Sequence, residues 1–271
     1  MASNDADNKS KTPKTSVHAA AAEPPQQKTG ANMLETLRTI LYAMLIALIV
    51  RTIAYEPFNI PSGSMIPTLL VGDYLFVSKF SYGYSRYSLP FGFPLIEGRI
   101  FEDPPERGDV AVFKLPSDNS TDYIKRVVGL PGDRIQVRQG VLFINDQPVP
   151  RKRIADITIR THIGTVKRVP QYIETLPNGR SYRIIETDFD AGSLDNTDEY
   201  VVPKRHYFMM GDNRDNSSDS RVLRQVGYVP IENFVGRAEF LFFSTNGSAR
   251  VWEVWKWPFT VRYGRLFDAI H

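Results

Sequence analysis

Two serines on a predicted tight turn have the type and spacing needed for nucleophilic chemistry. They lie in the stretch Pro61-Ser62-Gly63-Ser64-Met65, where proline fixes one φ angle and glycine permits a sharp reversal of the backbone. Such a bend presents the hydroxyls of Ser62 and Ser64 as potential nucleophiles. Ser-Gly-Ser also occurs in ordinary loops, so the catalytic interpretation depends on finding a base elsewhere in the chain.

Lys125 is the candidate base in a chain whose four histidines lie apart from one another and from the serine turn. Residues 123–128, YIKRVV, alternate in a way that places Tyr123, Lys125 and Val127 on one face of a strand. A lysine in a strand is ordinarily a surface residue with a pKa of about 10.4. Burial against apolar neighbours lowers the pKa of an amine, and a neutral Lys125 could accept the proton of Ser64.

A third polar segment, residues 211–221 with the sequence GDNRDNSSDSR, stands between apolar strands. It does not fit a calcium-binding loop, because a count from Asp215 puts Ser220 at the glycine position and Val226 at the twelfth. Within the segment Asp219 and Arg221 could form an ion pair. The hydroxyl of Ser217 could hold an amine in line with the serine.

The composition excludes several other kinds of site. The chain has 271 residues, a net charge of +3, 42% apolar residues and no cysteine, so it can bury a core but offers no thiol chemistry. The basic residues are scattered instead of concentrated in one stripe, which argues against nucleic acid as a partner. No histidine pair has the spacing of a zinc site. The sequence therefore predicts no metal and no cofactor.

The N-terminal part is predicted to be a polar tail followed by a membrane helix. Residues 1–32 have the composition of a disordered tail, and residues 33–55 form an apolar segment flanked by Arg38 and Arg51. A buried core helix and a cleaved signal peptide are alternatives to an uncleaved membrane anchor. Basic residues precede the segment and none lies between Tyr55 and Tyr74, which predicts a cytoplasmic tail and an extracytoplasmic body.

The remaining chain is predicted to be mainly β. Short alternating segments in 56–133 and 204–271 indicate one domain, and the Thr-rich region 134–203 indicates an inserted β subdomain with a hairpin turn at Asn145-Asp146. Near the C-terminus, residues 251–259 hold Trp252, Trp255 and Trp257. These tryptophans indicate either a hairpin in the core or an aromatic patch at a membrane surface.

Three strings in this order, behind one apolar segment, resemble the bacterial type I signal peptidases, which use a Ser-Lys dyad. They are PSGSMIPTL at 61–69, DYIKRV at 122–127 and GDNRDNSSDSR at 211–221. The resemblance extends from about residue 34 to the C-terminus. It implies a barrel-like β catalytic domain interrupted by a second β domain, held in the bacterial inner membrane by a single N-terminal helix.

The same resemblance implies a role for each polar residue. Ser64 would be the nucleophile and Lys125 its general base, with the Ser64 backbone N–H and the Ser62 hydroxyl as the oxyanion hole. Ser217 would orient the lysine amine, and an Asp219–Arg221 pair would fix the loop. The implied reaction passes through an acyl-enzyme without metal or cofactor.

The implied substrates are exported preproteins cleaved after Ala-x-Ala junctions, with membrane lipid as a second partner. The substrate would bind as an added strand between residues 58–62 and 122–125. Shallow pockets for the two alanines would be lined by six apolar side chains, which are Phe58, Ile60, Met65, Leu69, Tyr123 and Ile124.

Two other functions remain open from the sequence. A self-cleaving Ser-Lys repressor would share the fold, but such proteins carry a DNA-binding helix-turn-helix where this chain has a polar tail and an apolar segment. A membrane-anchored β module could instead bind peptides without hydrolysing them. Loss of cleavage in Ser64→Ala or Lys125→Ala would separate an enzyme from such a module.

Overall fold

The computed structural model describes residues 29–89, 92, 95–160, 165–188 and 190–271. Residues 1–28 of the predicted disordered tail lie outside the described residues, whereas residues 29–32, also predicted to be disordered, belong to a helix. Helix α1 spans Thr29–Ile53, and its stretch Met33–Ile53 is long and apolar enough to cross a membrane. An 18-residue window of that stretch is wholly exposed, unlike the interior of a buried core helix.

The described residues after α1 form short strands joined by turns and one-turn helices. The strands are β1 (Tyr55–Asn59), β2 (Asp73–Ser78), β3 (Tyr84–Ser85), β4 (Arg99–Ile100), β5 (Val110–Lys114), β6 (Asp122–Gly129), β7 (Arg134–Arg138), β8 (Val141–Ile144), β9 (Gln147–Pro148), β10 (Arg151–Arg160), β11 (Val166–Thr175), β12 (Ser181–Ile185), β13 (Tyr200–Val201), β14 (His206–Met210), β15 (Val229–Pro230) and β16 (Phe234–Ser244). The 3-10 helices are Phe80–Tyr82, Arg86–Ser88, Arg214–Asn216, Ile231–Asn233, Val254–Lys256 and Tyr263–Arg265, and a short α-helix, α2, covers Trp257–Thr260.

Seven strands form the main sheet in the order β1-β2-β16-β5-β6-β14-β15. β16 is the longest strand in this sheet, and its pairing with β2 and β5 is interrupted by shifts in register. Such irregularities bend a strand and increase its twist. β1 and β6 are separated by three strands in this order, yet residues from both line one cavity, so the sheet curls around it.

Two smaller sheets are inserted between β6 and β14. One has the order β10-β11-β12 and the other the order β13-β7-β8-β9. Their inner side chains, such as Ile135 and Ile184, pack in one core with Val128 of β6 and Phe208 of β14. The insertion and the main sheet therefore share one hydrophobic core.

The observed architecture confirms the predicted fold class. The chain is mainly β, with a curled sheet, a second β part and an N-terminal apolar helix. The predicted hairpin turn also occurs, since Asn145 and Asp146 connect β8 to β9 with φ angles of 52° and 63°. Both residues tolerate this left-handed conformation better than most.

The tryptophan segment, residues 251–259, does not form the core hairpin that was one of its two predicted structures. It contains the 3-10 helix Val254–Lys256 and then α2. Trp252 and Trp255 are 62% and 68% exposed, while Trp257 packs on Phe243 with ring centroids 4.8 Å apart. The hairpin interpretation of this segment was therefore wrong.

Candidate active site

Ser64 lies in the turn that follows β1, with only 8% of its surface exposed. The turn is closed by backbone hydrogen bonds from Ile66 N to Gly63 O at 3.2 Å and from Leu69 N to Met65 O at 2.9 Å. Met65 and Leu69 are fully buried and pack in the core beneath the turn. These two apolar side chains anchor the turn on one side, while Ser64 lines the cavity on the other.

Lys125 on β6 meets this serine directly. Its Nζ lies 2.7 Å from Ser64 Oγ and 3.0 Å from the carbonyl oxygen of Ile124. The side chain is 4% exposed, and its amine lies 5.3 Å from the centre of the Tyr123 ring. The structure thus brings the two residues of the predicted dyad into hydrogen-bond contact at a buried position.

Burial changes the protonation of this lysine. Loss of hydration lowers the pKa of Lys125 from 10.5 to about 8, although the negative charges of Asp219 and Asp212 act in the opposite direction. A lysine with this pKa is neutral in a substantial fraction of molecules at weakly alkaline pH. It can therefore accept a proton from a hydroxyl in hydrogen-bond contact.

Asp219 and Arg221 form the ion pair that the sequence suggested. Arg221 Nε and Nη2 lie 2.9 Å from the two carboxylate oxygens of Asp219, and both side chains are buried. Asp219 also accepts a hydrogen bond from the backbone N–H of Gly211 at 3.0 Å. The pair thereby joins the two ends of the polar loop at residues 211–221.

Ser217 is close to the site but forms no hydrogen bond with the lysine amine. Its hydroxyl is buried and has no hydrogen-bond partner among the described residues, whereas Lys125 is bonded to Ser64 and to the Ile124 carbonyl. Ser217 packs instead against Gly211, where an added Cβ would clash with Ser217 Oγ. The predicted hydrogen bond from Ser217 to the amine is therefore not present in this structure.

Ser62 stands on the exposed side of the turn. Its Oγ lies 3.5 Å from Ser64 Oγ. Among the described residues, the backbone N–H of Ser64 donates to no other backbone group. The Ser62 hydroxyl and the Ser64 N–H are therefore two donors close to the Ser64 side chain.

A cavity of about 510 Å³ lies beside the Ser64–Lys125 pair. Four of the six predicted substrate-contacting side chains, Phe58, Ile60, Tyr123 and Ile124, line it. Met65 and Leu69 do not, because both are buried in the core beneath the turn. The other lining residues are Asn59, Pro61, Ser62, Gly63, Val112, Asp122, Asn216 and Ser218.

Comparisons with known proteins identify the family to which this geometry belongs. The family model described as "Signal peptidase, peptidase S26" matches residues 33–243. The signal peptidase I of Rickettsia typhi (strain ATCC VR-144 / Wilmington) is 44% identical over 232 residues, which cover 81% of this chain and 83% of that protein. The chain belongs to the signal peptidase family, peptidase S26.

Other matches agree with this membership. The signal peptidase I of Rickettsia rickettsii (strain Sheila Smith) is 42% identical over 246 residues, which cover 85% of this chain and 90% of that protein. A crystal structure of a signal peptidase I from Enterococcus faecalis V583 is 23% identical and covers 50% of this chain and 97% of its own, with a TM-score of 0.29, a likeness too weak to bear on the fold. The resemblance seen in the three strings is confirmed, and the chain is an enzyme of the signal peptidase class.

Two residues that hold the site together were assigned no role from the sequence. Asn213 donates from Nδ2 to the carbonyl of Gly63 at 3.0 Å and from its backbone N–H to the carbonyl of Ser64 at 3.1 Å. Asp212 forms a two-point ion pair with Arg126, the residue after Lys125. The many hydrogen-bonding side chains in the polar loop indicated that this loop makes important contacts. They did not indicate which side chain bonds to which residue elsewhere in the chain.

Proposed function

We propose that this enzyme is a membrane-anchored serine endopeptidase that removes N-terminal signal peptides from exported preproteins by Ser-Lys dyad catalysis. The observation that carries the proposal is the buried 2.7 Å contact between Ser64 Oγ and Lys125 Nζ. Membership of the signal peptidase family supports the substrate class. The geometry supports the division of roles described below.

In the proposed reaction, neutral Lys125 takes the Oγ proton of Ser64 as Oγ attacks the scissile carbonyl carbon. The tetrahedral intermediate then collapses, the C–N bond breaks, and Lys125 returns the proton to the leaving amine. The signal peptide remains as an ester on Ser64. Lys125 next removes a proton from water, the hydroxide attacks the ester carbonyl, and the proton is passed to Ser64 as the signal peptide leaves.

Negative charge on the carbonyl oxygen would be stabilised by the Ser64 backbone N–H and the Ser62 hydroxyl. The Ser62 hydroxyl lies 3.5 Å from the nucleophilic oxygen, a spacing that suits a donor to an atom bonded next to that oxygen. Asn213 holds the carbonyls of Gly63 and Ser64, which fixes the direction of the Ser64 peptide. A donor held before the reaction begins needs no reorganisation during it.

The substrate is proposed to bind as an extended strand in the cavity between β1 and β6. Among the described residues, β1 pairs with β2 alone and residues 122–125 of β6 pair with β5 alone, so the other edge of each segment has no strand partner. An added peptide can pair with these edges by β-augmentation. Phe58, Ile60 and Ile124 would then form the shallow apolar floor that accepts alanine side chains.

The apolar part of α1 is proposed to anchor the enzyme in the bacterial inner membrane. Basic residues before the segment support a cytoplasmic N-terminus by the positive-inside rule, and with it an extracytoplasmic β body. Exposed Trp252 and Trp255 have the amphipathic rings that favour the lipid headgroup region.

The proposed function is tested by incubating detergent-solubilised full-length protein with a precursor that carries an Ala-x-Ala junction. Mass spectrometry of the products should show one cut after the second alanine with the wild type and none with Ser64→Ala or Lys125→Ala. Lys152→Ala, which changes an exposed lysine on β10, is the control and should cleave normally. A precursor with phenylalanine in place of the second alanine should stay intact.

Two results would contradict the proposal. Cleavage by Ser64→Ala or Lys125→Ala at the wild-type rate would exclude the dyad. Binding of the precursor by correctly folded wild-type protein without any cleavage, across neutral and alkaline pH, would instead identify a peptide-binding module.

A further inference from the structure

Three acidic side chains outside the dyad meet in the interior of the protein. They are Glu186, just after β12, Asp195, in the connection to β13, and Asp215, in the polar loop before β15. One carboxylate oxygen from each lies within 4.8 Å of the others. Glu186 and Asp195 are 0% and 1% exposed, so water does not surround them.

Several oxygens of this group are buried without a hydrogen-bond donor among the described residues. Both carboxylate oxygens of Glu186 are in this state, and so are Asp195 Oδ1 and Asp215 Oδ1. The second oxygen of each aspartate is used, since Asp195 Oδ2 accepts from Gly192 N at 2.6 Å and Asp215 Oδ2 accepts from Thr187 N at 2.6 Å. The backbone therefore orients the two aspartates and leaves one oxygen of each free.

The neighbouring cations neutralise this group only in part. Arg151 Nη1 is 3.6 Å from Glu186 Oε1, beyond hydrogen-bond distance, and its guanidinium donates to both oxygens of Asp190 at 3.0 and 2.8 Å. Arg214 is paired with Glu174. Buried ionised carboxylates with too few partners are strongly unfavourable, so the group favours the binding of a further positive charge.

We infer that Glu186, Asp195 and Asp215 bind a divalent cation, Ca²⁺, that ties the inserted β part to the polar loop of the active site. Only oxygen ligands converge, which suits a hard cation and not zinc or copper. Calcium–oxygen distances of about 2.3–2.6 Å put two ligand atoms of one ion at most about 5 Å apart. The three carboxylate oxygens lie within 4.8 Å of one another, which agrees with this spacing. Asp215 is half-buried and also lines a second cavity of about 850 Å³.

This site differs from the calcium loop that the sequence excluded. That loop would have drawn all its ligands from Asp215 and the residues after it. Here Asp215 is joined by two carboxylates that precede it by 20 residues or more in the chain, which no local motif can indicate. The ion takes no part in the proposed dyad chemistry; it stabilises the loop that carries Ser217, Asp219 and Arg221.

A proton is the competing occupant. Burial, together with the charges of Asp215 and Asp195, raises the pKa of Glu186 to about 8 in the absence of an ion. A protonated Glu186 would lower the charge of the group without binding metal. The experiment must therefore distinguish a bound cation from a bound proton.

The test uses full-length protein in detergent, treated with a chelator and then dialysed. Binding of Ca²⁺ is measured by equilibrium dialysis and thermal unfolding by scanning calorimetry, at constant ionic strength. The wild type should take up about one Ca²⁺ per chain, and its Tm should rise by several degrees at saturating Ca²⁺. Glu186→Gln and Asp195→Asn should lose both the uptake and the rise.

Asp188→Asn is the matched control, because Asp188 is an exposed carboxylate in the same segment and is not one of the three ligands. It should behave as the wild type. If one ligand variant fails to fold, the other, together with wild-type uptake, still decides the question.

Absence of Ca²⁺ uptake by the wild type would overturn the inference, as would equal uptake by the wild type and both ligand variants. A rise in Tm with Mg²⁺ as large as that with Ca²⁺ would overturn the assignment to calcium, since Mg²⁺ requires a stricter octahedral geometry. Neither measurement depends on cleavage. The inference can therefore fail while the proposed peptidase function stands.

Discussion

Arg126 and Asp212 form a two-point ion pair in which both side chains are 1% exposed. Arg126 Nε and Nη2 lie 2.9 and 2.8 Å from the two carboxylate oxygens of Asp212. Arg126 follows Lys125 on β6, and Asp212 follows Gly211 in the polar loop. The pair therefore fixes the strand that carries the proposed base against the loop that supports the serine turn.

Arg126→Ala should destabilise the protein by about 3–5 kcal/mol, because it leaves Asp212 buried and unpaired. Denaturant unfolding followed by circular dichroism measures the change in the free energy of unfolding. Arg205→Ala removes a guanidinium that contacts Glu102 and Glu232 at the surface, and it should cost at most about 1 kcal/mol. Similar losses of unfolding free energy in the two variants would show that the buried Arg126–Asp212 pair contributes no more to stability than a surface ion pair.

Gly211→Ala should abolish or greatly reduce cleavage. A Cβ at this position would clash with Ser217 Oγ and would lie 2.5 Å from the carbonyl oxygen of Ser64, so the serine turn must shift. Displacement of a nucleophile by about 1 Å can cost roughly 10²-fold in rate. The kcat for precursor cleavage measures this effect.

Gly264→Ala is the control, since no atom lies within 4 Å of its added Cβ. A normal rate for both variants would contradict the close contact between Gly211 and the serine turn.

Ser62→Ala should lower kcat by about 10²- to 10³-fold with little change in KM, as expected for loss of one donor in an oxyanion hole. Ser62→Thr retains a hydroxyl and should preserve much of the rate. Steady-state cleavage of a precursor measures both constants. An unchanged kcat in Ser62→Ala would remove this hydroxyl from the proposed mechanism.

Lys125→Met should stabilise the protein relative to the wild type in a pH-dependent way. The folded-state pKa of Lys125 is about 8, below the unfolded value of 10.5, so the folded wild type is penalised by a buried charge below pH 8. That penalty, up to roughly 3 kcal/mol, declines as pH rises from 8 and disappears above 10.5.

The difference in the free energy of unfolding between Lys125→Met and the wild type measures this penalty, because other titrating groups affect both proteins alike. The difference should be largest near pH 7 and should shrink toward pH 10.5. A constant difference over this range would indicate a lysine with an ordinary pKa.

The sequence predicted those parts of the site that depend on local pattern. Alternation in β6 indicated the face of Lys125, proline and glycine indicated the serine turn, and Asn145-Asp146 indicated a hairpin. The family strings added the pairing of Ser64 with Lys125, which are 61 residues apart and have no local relationship.

Other features depend on packing between distant segments and could not be predicted. Met65 and Leu69 were expected in substrate pockets, but both pack in the core with side chains from distant strands such as Val77 and Val112. Asn213 reaches a carbonyl 150 residues away, and Glu186 meets Asp195 and Asp215 only because the insertion folds back on the loop. Such contacts follow from tertiary structure, which the period of a strand or turn does not encode.

The pH dependence of kcat/KM for precursor cleavage tests the central claim, that a desolvated Lys125 activates Ser64. The account predicts that log kcat/KM rises with pH, bends at an apparent pKa of about 8 and becomes constant above it, because the neutral amine is the active form. A rate that continues to climb until about pH 10.4, the ordinary range of a solvated lysine, would contradict a buried base at this site.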